Sequence, residues 1–187
     1  MVSRFLFAAL LLLSFTLSSA SELDLAVNGG FEPPVAHGWE LVTTGGSEFE
    51  LRPDGDADPD WEPVLTHREA SGFAWLSQEI ALPVTKTTVG VSLDLNVKAL
   101  NGAWAAGGLI LEYRDKNGIA MGRTMLIQRT ADNPWENSPI QHIIEVPEVG
   151  WNTHAIDLEL EMENLAGVPL DAVHKLGVIL FIEAANC

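Results

Sequence analysis

Along most of this chain apolar and polar residues take turns with a period of two. The clearest run is 88–98. Val89, Val91, Leu93, Leu95 and Val97 are apolar, while Thr88, Gly90, Ser92, Asp94, Asn96 and Lys98 are not. Successive strand side chains point to opposite faces, so this run predicts a strand with one buried and one wet face. Leu23, Leu25 and Val27 alternate over 22–27, and Phe49 and Leu51 over 47–52. Leu76, Ile80 and Leu82 share a face over 73–82, which puts Phe73 and Trp75 on the other. Strands are also predicted at 108–114, 119–127, 140–146 and 153–162, the last from Ile156, Leu158, Leu160 and Met162. Asn117-Gly118 predicts a tight hairpin turn with positive φ at both central residues. Residues 176–183, with the apolar run from Leu176 to Ile182, predict a central strand buried on both faces. Residues 53–63, rich in Pro, Asp and Gly, predict a loop, and 165–173 a helical turn or a loop. No segment longer than about a dozen residues keeps a helical period. Many short strands with frequent turns predict an all-β sandwich or barrel.

The N-terminus has a different pattern. Arg4 precedes the apolar stretch from Phe5 to Leu13, and Ser18-Ser19-Ala20 supplies small residues for cleavage. This predicts a signal peptide over 1–20 and a single β-sandwich domain over 21–187. An uncleaved anchor is the alternative, but the apolar stretch is short for a bilayer. The expected location is secreted or periplasmic, with no stable membrane insertion. The one cysteine, Cys187, excludes an intrachain disulfide, so the core must supply the stability. A lone Cys in an exported chain points to intermolecular pairing, an incidental thiol or an early stop.

The formal net charge is −16, and losing Arg4 with the leader makes it more acidic. Phosphates are bound by Lys and Arg, so nucleic acid and anionic lipid are poor partners. Neutral polysaccharide, cations and basic partners remain.

The residue types present bear on three kinds of chemistry. For catalysis, there is no Gly-x-Ser-x-Gly, no His-Glu-x-x-His and no Cys–His metal spacing, and the five His are scattered singly. A small hydrolase is therefore the last of the readings. For calcium, Asp54, Asp56, Asp58 and Asp60 alternate as calcium-loop ligands do. Pro59 and Leu65 break the EF-hand pattern, so an irregular calcium site and a solvated acidic loop are the two readings. For sugar, a pyranose stacks its C–H face on an aromatic ring and offers hydroxyls to polar groups. Trp61, Trp104 and Trp135 sit in predicted loops among Asn, Asp and Glu. Each is either a ligand platform or a plug at the end of the sandwich. Tyr113, Arg123, Gln128 and Gln78 are candidate polar partners if their strands share the concave sheet.

Several pieces together carry a resemblance. They are Val27-Asn28-Gly29-Gly30-Phe31-Glu32, Gly38-Trp39, Leu76 to Leu82, the 89–97 strand, Asp115 to Gly118, Gly150-Trp151 and the final apolar strand. In this order they resemble carbohydrate-binding modules of the family 4/9 type, with a galactose-binding-like fold. The resemblance implies a two-sheet antiparallel jelly-roll sandwich with Trp39 and Trp151 in its core. It also implies a structural calcium near the first and last strands, with Glu32 placed as a ligand. Such modules finish on a strand carrying paired Asp, which has no counterpart before Cys187. The N-terminal strand is then an exposed edge, open to association.

The expected function is a secreted, non-catalytic module that binds neutral glycan or polysaccharide. The alternative is an exported structural or adhesive sandwich with no sugar site, assembling through the edge strand or Cys187.

Overall fold

The computed structural model describes residues 26–27, 31, 33–34, 37–53, 61–67, 71–82, 88–94, 104–146 and 151–185. Ten strands are β1 (Glu40–Thr43), β2 (Ser47–Pro53), β3 (Trp61–His67), β4 (Gly72–Ala81), β5 (Thr88–Asp94), β6 (Trp104–Arg114), β7 (Ala120–Arg129), β8 (Gln141–Glu145), β9 (Trp151–Asp157) and β10 (Lys175–Ala185). One helix, α1, covers Leu158–Asn164. The protein is an all-β sandwich. A six-stranded sheet runs β1-β4-β10-β6-β7-β8, and β2-β3 and β5-β9 form two further pairs.

The apolar run near the C-terminus is central, as its pattern predicted. β10 pairs with β4 along one edge and with β6 along the other. Its alternate residues supply two separate clusters. On the inner face Leu176 joins Leu109, Leu111, Tyr113 and Leu126. Ile156 of β9 and Leu158, Leu165 and Val168 close this cluster from the opposite layer. On the outer face Ile179 and Phe181 join Ala106, Ile110, Met125, Ile127 and Ile143, with Trp104 and Trp135 packed against them. Each fully buried Leu, Ile or Phe contributes about 1.5–3 kcal/mol, so both faces stabilise the sheet.

All described pairs are antiparallel except β7–β8, which is parallel. The predicted sheets were antiparallel throughout. A parallel neighbour cannot be reached by a tight hairpin, because the chain must first return to the starting end. Residues 130–140 make that return. Trp135 lies 5.8 Å from Phe181 on β10, centroid to centroid, so the crossover passes over the outer face.

Three local predictions change. The strand expected over 153–162 ends at Asp157, and α1 follows. The Asp157 carboxylate caps the helix, accepting from the Glu159 and Leu160 N–H groups at 2.9 and 3.3 Å. Leu158, Glu161, Met162 and Leu165 then fall on the core side, while Leu160 is exposed. Leu, Glu and Met are strong helix formers and the stretch has no β-branched residue, so propensity and cap outweigh the period of two. The Asn117-Gly118 turn also differs, because among the described residues only Gly118 in this turn has positive φ, at 83°. Gly118 N–H donates to the Asp115 carbonyl at 3.0 Å, so Lys116 and Asn117 are central and Gly118 follows. Asp115 decides this geometry, since its Oδ1 accepts from Asn117 and Ile119 N–H at 2.8 Å each. Lastly, Trp61 to Pro63 belong to β3 instead of a loop, while Ala26 and Val27 lie in a turn. Residues 1–25, the 95–98 end of the strand predicted over 88–98, and Cys187 lie outside the described residues.

Two outcomes test this architecture. A Cβ at Gly108 (φ 153°) would stand 2.1 Å from the Leu126 carbonyl oxygen of the neighbouring strand. Gly108→Ala should cost roughly 2–4 kcal/mol in urea unfolding. The Asp115 carboxyl is held below the usual carboxylate range, first by the Ile119 N–H and then by Asn117. A carboxyl more acidic when folded stabilises the fold above its unfolded pKa, and the effect is lost as pH falls through the folded value. Amide exchange at Asn117 and Ile119, relative to intrinsic rates, should therefore rise on acidification, and Asp115→Asn should remove that dependence.

Candidate functional site

The outer face of the six-stranded sheet carries most of the chemistry. Register arranges it in rows across the strands. Trp75, Phe181, Gly108, Ile127 and Glu145 form one row, from β4 through β10, β6 and β7 to β8. Phe73, Glu183, Ala106 and Arg129 form the next. On the other side come Ser77, Ile179, Ile110, Met125 and Ile143, and then Glu79, Gly177, Glu112, Arg123 and Gln141. The middle rows are an apolar floor and the outer rows carry charge.

Small residues shape that floor. Gly108 and Ala106 leave room above β6, and three rings gather there. Trp104 and Trp135 meet edge-on at 5.4 Å, and Trp135 reaches Phe181. A second aromatic pair, Phe73 and Trp75, lies across β10 on β4 at 4.9 Å. Trp75 is 37% exposed. This face therefore offers apolar ring surface to a ligand.

The crossover is tied down by polar groups. Arg129 donates to Glu145 Oε1 at 2.7 and 3.0 Å and also to the Trp135 carbonyl. Asn133 Oδ1 accepts from the Trp135 N–H at 3.0 Å. The Gln141 amide donates to the Glu136 carbonyl at 2.8 Å and accepts from Arg123 Nε at 2.7 Å. Ile143 N–H donates to Asn137 Oδ1 at 2.7 Å. Beside Trp135 this leaves an open cleft of about 300 Å³, lined by Arg129, Thr130, Asn133, Glu136 and Glu145 among others. Such groups can exchange hydrogen bonds with hydroxyls.

The far end of the same face is an ion network. Glu79 accepts from Lys175 at 2.6 Å and from Arg114 at 3.1 Å, and Arg114 pairs with Glu112 at 2.6 Å. The hydrogen bond from Lys175, then that from Arg114, holds the Glu79 carboxyl below its ordinary range. A Cβ at Gly177 would sit 2.8 Å from Arg114 Nε, so Gly177 makes room for the guanidinium.

The candidate residues from the sequence divide. Trp104 and Trp135 come together on the outer face, while Arg123 lies toward its other end, opposite Glu112. Trp61 starts β3, opposite Pro53 in the separate β2–β3 pair. Tyr113 is 0% exposed and its hydroxyl is paired with Thr124 at 2.7 Å. It is a core residue of the inner face, so it has no surface for a ligand. Burial raises its pKa, and the hydrogen bond with Thr124 offsets this only in part. Gln128 and Gln78 also point inward by register, in phase with Leu126 and Leu76. Gln78 holds the N-terminal turn, exchanging two 2.8 Å hydrogen bonds with the Val27 backbone. Trp39 is buried, 4.9 Å from Phe31. Glu32, Asp54, Asp56 and Asp58, the residues considered for calcium, lie outside the described residues. Among the described residues no three His, Cys, Asp or Glu side chains are grouped to hold a metal ion. Nor does any helix there have the length and apolarity to cross a membrane.

The sequence reading did not include Arg129, Asn133, Glu145, Phe181 or Glu183. Alternation could have found the last two. Phe181 and Glu183 are in phase with Ile179 along the strand predicted over 176–183, on the face opposite Leu176.

No family model matches the chain, and no curated protein matches it. Among solved structures it is similar to the enzymatically active domain of bacteriophage CBA120 tailspike protein 4, at 14% identity and a TM-score of 0.43. That match covers 80% of this chain and 18% of the other. It is also similar to the family 11 carbohydrate-binding module of Clostridium thermocellum, solved in complex with a β-1,3-1,4-mixed-linked tetrasaccharide. There the identity is 10%, the TM-score 0.40, and the match covers 80% of this chain and 86% of that one. Likeness at this level leaves the function to be argued from the chain's own residues.

Arg129 is the clamp of the crossover. Arg129→Met should free the Trp135 carbonyl and Glu145 and cost about 1 kcal/mol of stability. Faster amide exchange over 133–137 than in β4 or β10 would show that the crossover is what loosens.

Proposed function

We propose that the protein is an exported, non-catalytic glycan-binding module, and that its platform is the outer face of the six-stranded sheet. One observation carries this: partly exposed tryptophan rings share that face with a guanidinium, carboxylates and amides beside an open cleft. An indole covers the C–H face of a pyranose, and planar polar groups beside it take the hydroxyls. The floor beneath is packed and the crossover is hydrogen-bonded, so little ordering is needed on binding. An open cleft suits a chain ligand, which enters from the side and continues past the site.

Export is part of the proposal because the N-terminal residues have signal-peptide composition. The acidic surface is consistent with a partner that carries no phosphate.

The test is calorimetric titration with soluble oligosaccharides and retention on insoluble polysaccharides. Trp75→Ala removes an exposed ring that leans only on Phe73 among the aromatic contacts, so it should leave stability nearly unchanged. It should weaken glycan binding about tenfold, the equivalent of one lost stacking contact. Trp135→Ala should weaken binding more and also destabilise the crossover. If no glycan is retained and tryptophan fluorescence does not respond to any of them, the proposal fails.

A further inference from the structure

The charges on the outer face do not all find partners. Glu79, Lys175, Arg114 and Glu112 satisfy one another at one end. Arg129 is committed to Glu145 and the Trp135 carbonyl. Arg123 is hydrogen-bonded to Gln141. Glu183 is left over: among the described residues it has no hydrogen bond and no ion pair, although it is half-buried.

Its neighbours by register are mostly rings. On the β4 side Phe73 stands directly opposite, and Trp75 lies opposite Phe181 one row along. On the β6 side Ala106 is opposite, and Trp104 lies in the row beyond, opposite Ala185. A carboxylate among rings has lost water without gaining a hydrogen-bond donor. Burial accordingly raises the Glu183 carboxyl above its ordinary range, opposed only by the charge of Arg123. Such a position is costly for an anion and favourable for a cation that supplies both a charge and N–H donors. A ring that turns its face to this position attracts the same cation. Metal ions are poorer candidates, because hard cations need several oxygen ligands and Glu183 offers one carboxylate.

We propose that Glu183, with Phe73, Trp75 and Trp104, forms a subsite for the ammonium group of an amino sugar, over a floor made by the buried Phe181. This deepens the glycan-binding reading and rests on it. A free 2-amino group projects from the edge of a pyranose, so the ring can stack on an indole while the ammonium reaches a carboxylate. The net charge of −16 favours a ligand of this sign throughout the approach. Bulk attraction alone, however, would not depend on which carboxylate is removed.

The experiment uses three oligosaccharides of equal length: one of glucosamine, its N-acetylated counterpart and a neutral glucose oligomer. They are titrated against the whole protein, Glu183→Gln and Glu163→Gln. Glu163 is exposed on α1, so its variant changes the net charge equally at a remote place. The glucosamine oligomer is expected to bind tightest, and Glu183→Gln to weaken it about tenfold, as loss of one charge-assisted hydrogen bond would. The same variant should leave the glucose oligomer unaffected, and Glu163→Gln should leave all three unaffected. Equal binding of the glucosamine and N-acetylated oligomers overturns the ammonium subsite. So does equal weakening of the glucosamine oligomer by the two variants, which would indicate bulk charge only. Binding of the glucose oligomer in either case leaves the glycan-binding reading intact, whereas failure to bind any of the three defeats both.

Discussion

Pairing β8 parallel to β7 obliges the chain between them to travel back along the strand before it can pair. Residues 130–140 do this across the outer face. The face is apolar where they cross, with Ile127 and Met125 buried on β7 and Phe181 buried on β10. Trp135 is the group that settles there. The crossover in turn brings Arg129, Asn133 and Glu136 to one cleft. One choice of strand direction therefore accounts for the covered floor, the ring cluster and the polar rim together. A hairpin in the same place would have left that floor open to water.

The sheet beneath can accept this because it is packed on both sides. β10 is hydrogen-bonded to β4 and β6, and its two faces feed two different cores. Two polar pairs bridge elements on the inner side of the sheet. Tyr113 and Thr124 share a hydrogen bond, and His142 on β8 reaches Glu161 on α1. Each of these pairs joins two elements, and each buried polar group would be costly without its partner. The second pair fixes where the helix sits against the edge of the sheet. With the inner layer held in this way, the outer face can present rings and charges without losing its shape.

How much of this was legible depended on the range of the interaction concerned. Residues 88–94 and 176–182 announced their strands because alternation and burial act within the strand itself. Trp75 and Phe73 were correctly placed on the face opposite Leu76 for the same reason. The helix at Leu158 was misread because Leu-Glu-Leu-Glu-Met satisfies both periods, and only the Asp157 cap and the packing of Leu158 and Leu165 choose between them. The sequence leaves Tyr113 open as a ligand partner because a tyrosine on a strand has two faces to choose from. Its register beside Gly122 and Leu176 sends it inward to Thr124.

The sequence by itself determined that this is a chain of short strands, with its central strand near the C-terminus. It also determined that the chain is acidic and tryptophan-bearing. Those properties are local or additive, and can be read without knowing what meets what. Only the tertiary structure decided that Trp104, Trp135, Phe181 and Trp75 share a face, that β8 runs parallel to β7, and that Glu183 stands among rings with no partner among the described residues. These depend on strand order and register, which join residues more than a hundred positions apart, as Glu183 and Phe73 are. A shift of one residue in any pairing would have turned the same side chains to the opposite face.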